Sequence, residues 1–298
     1  MKARSANLLL FAAAALLLAA CSFTRLAYTN AALAYDNAAP MLTWAVDEYV
    51  DLSAPQKEWV RDRLGRAMDW HRESELPQYR ALFERLLRKA DRPIPVSDIE
   101  QAHRELYARY HRALERVLPD AAELLSQLDA EQMDHLQNKL EDSDRKFIRE
   151  SVKGSLEERR KRQAGRWVEH LESWVGHLEG EQRDLVLEHV RGFADLSSER
   201  LADRRYREGE VLRLVRSKAP REEVVATLRK LFIDTQAWRR DEYREKLRQR
   251  DRQVYEMISA LSATLTPEQR AHLAKRARGY LRDINELTAA NARVTSGT

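Results

Sequence analysis

Catalysis needs groups that converge, and this chain offers few candidates. Glu73-Ser74, Glu150-Ser151 and Glu172-Ser173 each supply a carboxyl that could serve as general acid on a glycan. None has glycine-rich companions, and in a chain this rich in glutamate such pairs arise by chance. Glu100-x-x-His103 is half of a carboxylate-bridged metal motif, which needs a second copy on a facing helix. His103 instead borders an apolar stripe and reads as an interface histidine. No HExxH, GxSxG or phosphate loop occurs. We therefore expect no enzyme activity, no bound metal and no cofactor. The remaining chemistry is cationic. Residues 141–166 carry nine basic and six acidic side chains around Arg159-Arg160-Lys161-Arg162, and residues 239–252 carry seven and four. Each excess is modest and ordinarily marks a solvated helix face. Laid side by side, the two segments would form a basic surface through Arg159, Arg160, Arg162, Arg239, Arg240 and Arg244, suited to acidic partners.

Cys21, the only cysteine, excludes an internal disulfide. Lys2 and Arg4 precede an apolar run over residues 8–18, and small residues lead up to Cys21, which is the pattern of an export signal too short to span a bilayer. A secretory signal that merely ended in cysteine would leave a free thiol in an oxidising compartment. Leu18-Ala19-Ala20-Cys21 resembles the bacterial lipoprotein box. That resemblance implies removal of residues 1–20, a diacylglyceryl thioether on Cys21 and an acylated new amino terminus, with residues 21–40 as a tether. Ser22, rather than aspartate, implies the outer membrane, facing the periplasm. The expected partners are then the membrane, through the lipid, together with envelope proteins or anionic envelope components such as lipopolysaccharide or peptidoglycan carboxylates. Nucleic acid is excluded: loss of Lys2 and Arg4 leaves 50 basic against 48 acidic residues, with no strong single-sign patch.

The elements that must position these groups are helical. Charged residues make up 34% of the chain, with nine glycines and eight prolines, a balance that favours long solvated helices. The expected fold is all-α, an elongated bundle of six to eight long antiparallel helices. Residues 41–290 would form one domain, divisible into two halves meeting near 165–180, with residues 291–298 as a frayed tail. Met41, Trp44, Ala45 and Tyr49 fall at helical spacing, and Asp51 closes that segment. Ser53 with Gln56 reads as a capping box, and Pro77 should kink or end the helix it starts. Arg92-Pro93-Ile94-Pro95 is a loop, and Ser97 with Glu100 reads as a second capping box. The stripe Ile99, Ala102, Leu106, Tyr110, Ala113 and Val117 should break at Pro119. One helix is then expected over residues 129–178, about 70 Å long at the α-helical rise. Another is expected over 185–215, and a further one over 224–265 with a charged middle. Thr266 caps the last. Trp59, Trp70, Trp167 and Trp174 read as buried helix contacts, the sharper alternative being a client-binding groove.

One pattern recurs four times: Leu52-Ser53-x-x-Gln56, Leu128-Asp129-x-x-Gln132, Leu178-Glu179-x-x-Gln182 and Leu265-Thr266-x-x-Gln269. The last is similar to the LTxxQ signature of periplasmic helical chaperones of the Spy type. Plain helix punctuation accounts for the same residues, although Glu179 is a poor cap. Over nearly the whole mature chain, Trp44-Ala45-Val46-Asp47-Glu48-Tyr49-Val50-Asp51-Leu52, Gln56, Trp70-His71-Arg72 and Leu76-Pro77-x-Tyr79 resemble a family of proteobacterial lipoproteins known only as a domain of unknown function. The resemblance implies an all-helical envelope lipoprotein and carries no activity. The expected work is non-enzymatic: protein binding or chaperone-like assistance, or a structural spacer or assembly scaffold.

Overall fold

The computed structural model describes residue 35 and residues 37–295, with side chains to 289. The signal segment and Cys21 lie outside the described residues. Eleven α-helices and no strand occur among the described residues: α1 (Ala38–Val50), α2 (Ala54–Ser74), α3 (Leu76–Lys89), α4 (Val96–Ser126), α5 (Ala130–Phe147), α6 (Leu156–Val175), α7 (Gly180–Gly192), α8 (Ser197–Arg216), α9 (Arg221–Phe232), α10 (Asp241–Ala263) and α11 (Pro267–Thr295). None of them is long and apolar enough to cross a membrane.

Local signals set many boundaries. Asp51 takes a left-handed conformation, its side-chain neighbour Asp47 accepts the Leu52 amide at 2.8 Å, and α1 stops. Ser53 and Gln56 form the expected capping box, with Pro55 in the first turn of α2. Pro77 sits at the start of α3, just beyond the break at Glu75.

Several expectations fail for physical reasons. Pro119 does not end its helix: α4 runs through it to Ser126, because Leu118 and Ala122, at 1% and 0% exposure, pin both flanks in the core. Packing there exceeds the cost of about 3 kcal/mol that an interior proline imposes. Ser97 caps nothing, since α4 already begins at Val96 after Pro95. The single helix over 129–178 is two. A π-helical turn at Ile148–Val152 leads into Gly154 at φ +99°, where an L-side chain is strained, and Ser155 with Glu158 starts α6 afresh. The helix over 185–215 divides at Phe193, which is buried, and Asp195 accepts the Ser197 amide at 3.1 Å to open α8. The segment over 224–265 divides at a 3-10 turn, Thr235–Ala237. The count of six to eight helices therefore rises to eleven, and α11 continues past Asn291 to Thr295.

Two main apolar cores result, with a small third cluster of Ala90, Leu273 and Ala274 between α3 and α11. The larger gathers α1, α2, the start of α3, α4, α5, the end of α8, α9, and Ile284 and Leu287 of α11. The smaller joins α6, α7 and the second half of α10 through Leu171, Leu178, Val186, Phe193, Met257 and Leu261. Helices α3 and α11 pack extensively and link the two. At that junction Phe83, Tyr280 and Trp174 stack at 4.8 and 5.6 Å, with Arg276 over the Trp174 ring at 4.9 Å.

The four Leu-x-x-x-Gln turns meet in pairs. Gln56 and Gln132 exchange side-chain amide hydrogen bonds at 3.3 and 2.7 Å, tying the start of α2 to the start of α5. Gln182 and Gln269 do the same at 2.8 Å each way, tying α7 to α11. Each glutamine also takes the amide of its own cap residue. Gln132 reaches the Asp51 carbonyl, Gln182 the Thr264 carbonyl and Gln269 the His177 carbonyl. These residues punctuate helices and also clasp them together.

An arginine-lined hollow and an apolar groove as candidate functional sites

The arginines singled out by sequence go to different places. Arg162 donates to the carbonyls of Glu150, at 3.2 Å, and Lys153, closing the π-helical turn that precedes α6. Arg239 is bound in the interior, its guanidinium forked onto Asp203 at 2.6 and 3.2 Å and bonded to Thr235. Asp203 is buried and also pairs with Arg207 at 2.8 Å. Arg244 pairs with Asp241 and donates to the Gln236 carbonyl. Arg240 is exposed at the start of α10.

Arg159 and Arg160 instead line a hollow with Arg166, Arg200 and Arg250. Phe147, Leu156 and Phe193 supply its apolar lining, and the start of α8 lies at its edge through Leu196 and Ser197. Sequence reasoning missed Arg200, which lies in the mixed-charge first turn of α8 between Glu199 and Asp203, and it treated Arg166 and Arg250 as parts of charged runs. Only the packing of α6, α8 and α10 brings them together. Asp195 is the one carboxylate in the lining, and Arg159 donates to it at 3.0 Å. Burial opposes the charge on Asp195, but the Ser197 hydroxyl and Arg159 hold its carboxyl below the usual range. Arg250 is neutralised by Asp251 at 2.7 Å. Arg160, Arg166 and Arg200 have no carboxylate within ion-pair distance among the described residues, and the Nε of Arg160 is buried without a hydrogen-bond partner. Glu150 and Glu169 attract Arg166 only from farther away.

A second concavity lies in the larger core. Val46, Trp59, Leu64, Val117, Leu124 and Phe232 are among its walls, contributed by α1, α2, α4 and α9. Its only polar side chains are Arg63 and Asp120, 3.6 Å apart, with the Arg63 guanidinium 5.0 Å from the Trp59 ring centre. Trp59 is thus a groove wall as well as a core contact.

The remaining chemical candidates are engaged locally. His103 Nδ1 lies 2.6 Å from the Tyr255 hydroxyl, and Glu100 pairs with Arg104. Glu172 accepts the Leu178 amide and pairs with Arg183. Among the described residues no group of histidine, cysteine and carboxylate side chains is arranged to hold a metal ion.

No curated protein and no solved structure matches this chain. A family model matches residues 48–244, a span that holds α2 to α9, the first amide clasp, all of the groove lining but Val46 and most of the arginine hollow. The chain belongs to DUF6279, a family of unknown function.

Proposed function

We propose that this protein is a lipid-anchored envelope component, held through Cys21 at the outer membrane and facing the periplasm, that binds other proteins in a chaperone-like manner. The observation that carries the binding role is the apolar concavity among α1, α2, α4 and α9, whose floor is buried core and whose rim is partly exposed at Val46, Trp59, Ala121 and Phe232. An apolar stretch of an unfolded chain is the occupant such a surface suits, because burying its side chains there removes apolar area from water at about 25 cal/mol per Å². The clasps support the same reading. They give the Leu-x-x-x-Gln turns a tertiary role, and the Gln56–Gln132 clasp ties α2, one of the groove helices, to α5.

The test is an aggregation assay with the chain from Ser22 onward, several unrelated unfolding clients and a helical protein of similar charge as control. Suppression of several clients near equimolar ratio is expected. Ala121→Trp, which fills the groove from α4, should weaken it at least about two-fold while leaving the helical content unchanged. No suppression beyond the control would retire the holdase role. Crosslinking in the intact envelope would then seek one dedicated partner in fixed proportion, the behaviour of an assembly scaffold.

A further inference from the structure

We propose that the arginine-lined hollow between α6, α8 and α10 binds a phosphate-bearing ligand, with Arg160, Arg166 and Arg200 as its contacts.

The argument begins with charge balance. Five guanidinium groups line one concavity, and the nearby carboxylates Asp195 and Asp251 neutralise two of them, Arg159 and Arg250. Three positive charges remain without a partner, next to the apolar side chains of Phe147, Leu156 and Phe193. Like charges gathered against a low-dielectric wall repel more strongly than on an open surface. Burial lowers the guanidinium pKa values of both Arg166 and Arg200, and the neighbouring charge of Arg250 adds to it at Arg200. A structure that holds such a cluster is relieved when an anion enters.

Geometry selects the anion. A planar carboxylate needs few donors: here one guanidinium, that of Arg159, serves one oxygen of Asp195, and Ser197 serves the other. Three unpaired guanidinium groups from two helices suit a tetrahedral group with several free oxygens. The N-terminal turn of α8, at the edge of the hollow, adds the positive end of a 20-residue helix. The apolar lining beside the charges can accept carbon attached to the phosphate.

The experiment uses the full-length protein in neutral detergent, with calorimetric titration and thermal unfolding at constant ionic strength. Inorganic pyrophosphate and dihexanoyl-phosphatidic acid are the probes, and chloride is the control. Saturable one-to-one binding of either probe, with a rise in unfolding temperature that chloride does not reproduce, is expected. At least tenfold tighter binding of the lipid would assign the site to a lipid headgroup, and comparable binding would assign it to free phosphate. Arg166→Gln with Arg200→Gln should weaken binding at least tenfold. In phosphate-free buffer the same variant should unfold at an equal or higher temperature, since two mutually repelling charges are gone, whereas a purely structural role requires a lower one. Arg240→Gln, on the exposed start of α10, should bind like the unaltered protein. The proposal is overturned if neither probe exceeds the chloride control, or if the double variant binds as tightly as the unaltered protein.

Discussion

Replacing Gln182 by alanine separates a helix cap from a tertiary clasp. Gln182 is 4% exposed, and its side-chain carbonyl accepts the Glu179 amide at 3.0 Å and the Gln269 side-chain amide at 2.8 Å. Its own amide donates to the Thr264 carbonyl at 2.9 Å and to the Gln269 carbonyl oxygen at 2.8 Å. Truncation removes these four bonds and a longer one to the Thr264 hydroxyl at 3.4 Å, and strands the partners in a region from which water is largely excluded. At about 1 kcal/mol net for each bond, partly offset by water reaching the cap amide, the loss should be about 3 kcal/mol. A residue that only capped α7 would cost about 1 kcal/mol. In a chain of this size 3 kcal/mol corresponds to a fall in Tm of roughly 6–12 °C. The sharper readout is a double-mutant cycle with Gln269→Ala, followed by urea unfolding of all four proteins. Two reciprocal bonds connect the pair, so the single losses should exceed the double by about 1–2 kcal/mol. A loss near 1 kcal/mol, with the two substitutions additive within about 0.5 kcal/mol, would refute the clasp and reduce the motif to helix punctuation.

Three further outcomes follow from single positions. The stability of the protein should be nearly level between pH 7 and pH 4.5 because two buried groups oppose each other. Burial, reinforced by Asp144 and outweighing Arg204, raises Glu208 to about 7, so the folded state holds its proton more tightly and gains stability as pH falls from about 7 to about 4.5. Burial lowers His71 to about 4, with Nδ1 2.8 Å from the Tyr35 hydroxyl and Nε2 without a partner, so stability present above pH 6.5 is lost as pH falls toward 4. Each contributes about 3 kcal/mol by linkage, as an order of magnitude. Glu208→Gln should therefore expose the histidine loss as a falling urea midpoint below pH 6.5, and a midpoint that stays level would count against it. Pro119→Ala restores a backbone donor inside α4 and should raise stability by about 1–3 kcal/mol, read as a higher Tm; no gain would mean that the proline imposes no cost in this packed helix. Gly154→Ala should cost at least about 1 kcal/mol, since φ is +99° and an added Cβ would meet the Glu158 carboxylate at 2.6 Å. Equal thermal stability of that variant would show that the break before α6 is not held by the glycine.

The helical class, and the helix starts that depend on contacts three residues apart, were legible in the chain alone. Ser53, Asp129 and Thr266 were legible as caps because the partner glutamine lies within the same turn. Glu179 looked poor by residue type, yet Gln182 supplies the bond that matters there. The break at Gly154-Ser155-x-x-Glu158 carried the same signal and was hidden by the length of the surrounding charged run. Other features were beyond local reading. Whether Pro119 ends a helix depends on the burial of Leu118 and Ala122 on both sides, which only the assembled core decides. The pairing of Gln56 with Gln132, and of Gln182 with Gln269, spans 76 and 87 positions in the chain. The two basic runs suggested one surface, but they meet only where Arg250 joins Arg159, Arg160 and Arg166 at the hollow. Arg239 goes to a buried carboxylate and Arg162 to backbone carbonyls, while Arg160 and Arg166 join Arg200 from another helix. Charge along a sequence is a sum over neighbours in the chain; charge in a hollow is a sum over neighbours in space, and packing alone sets which of them keep a counterion.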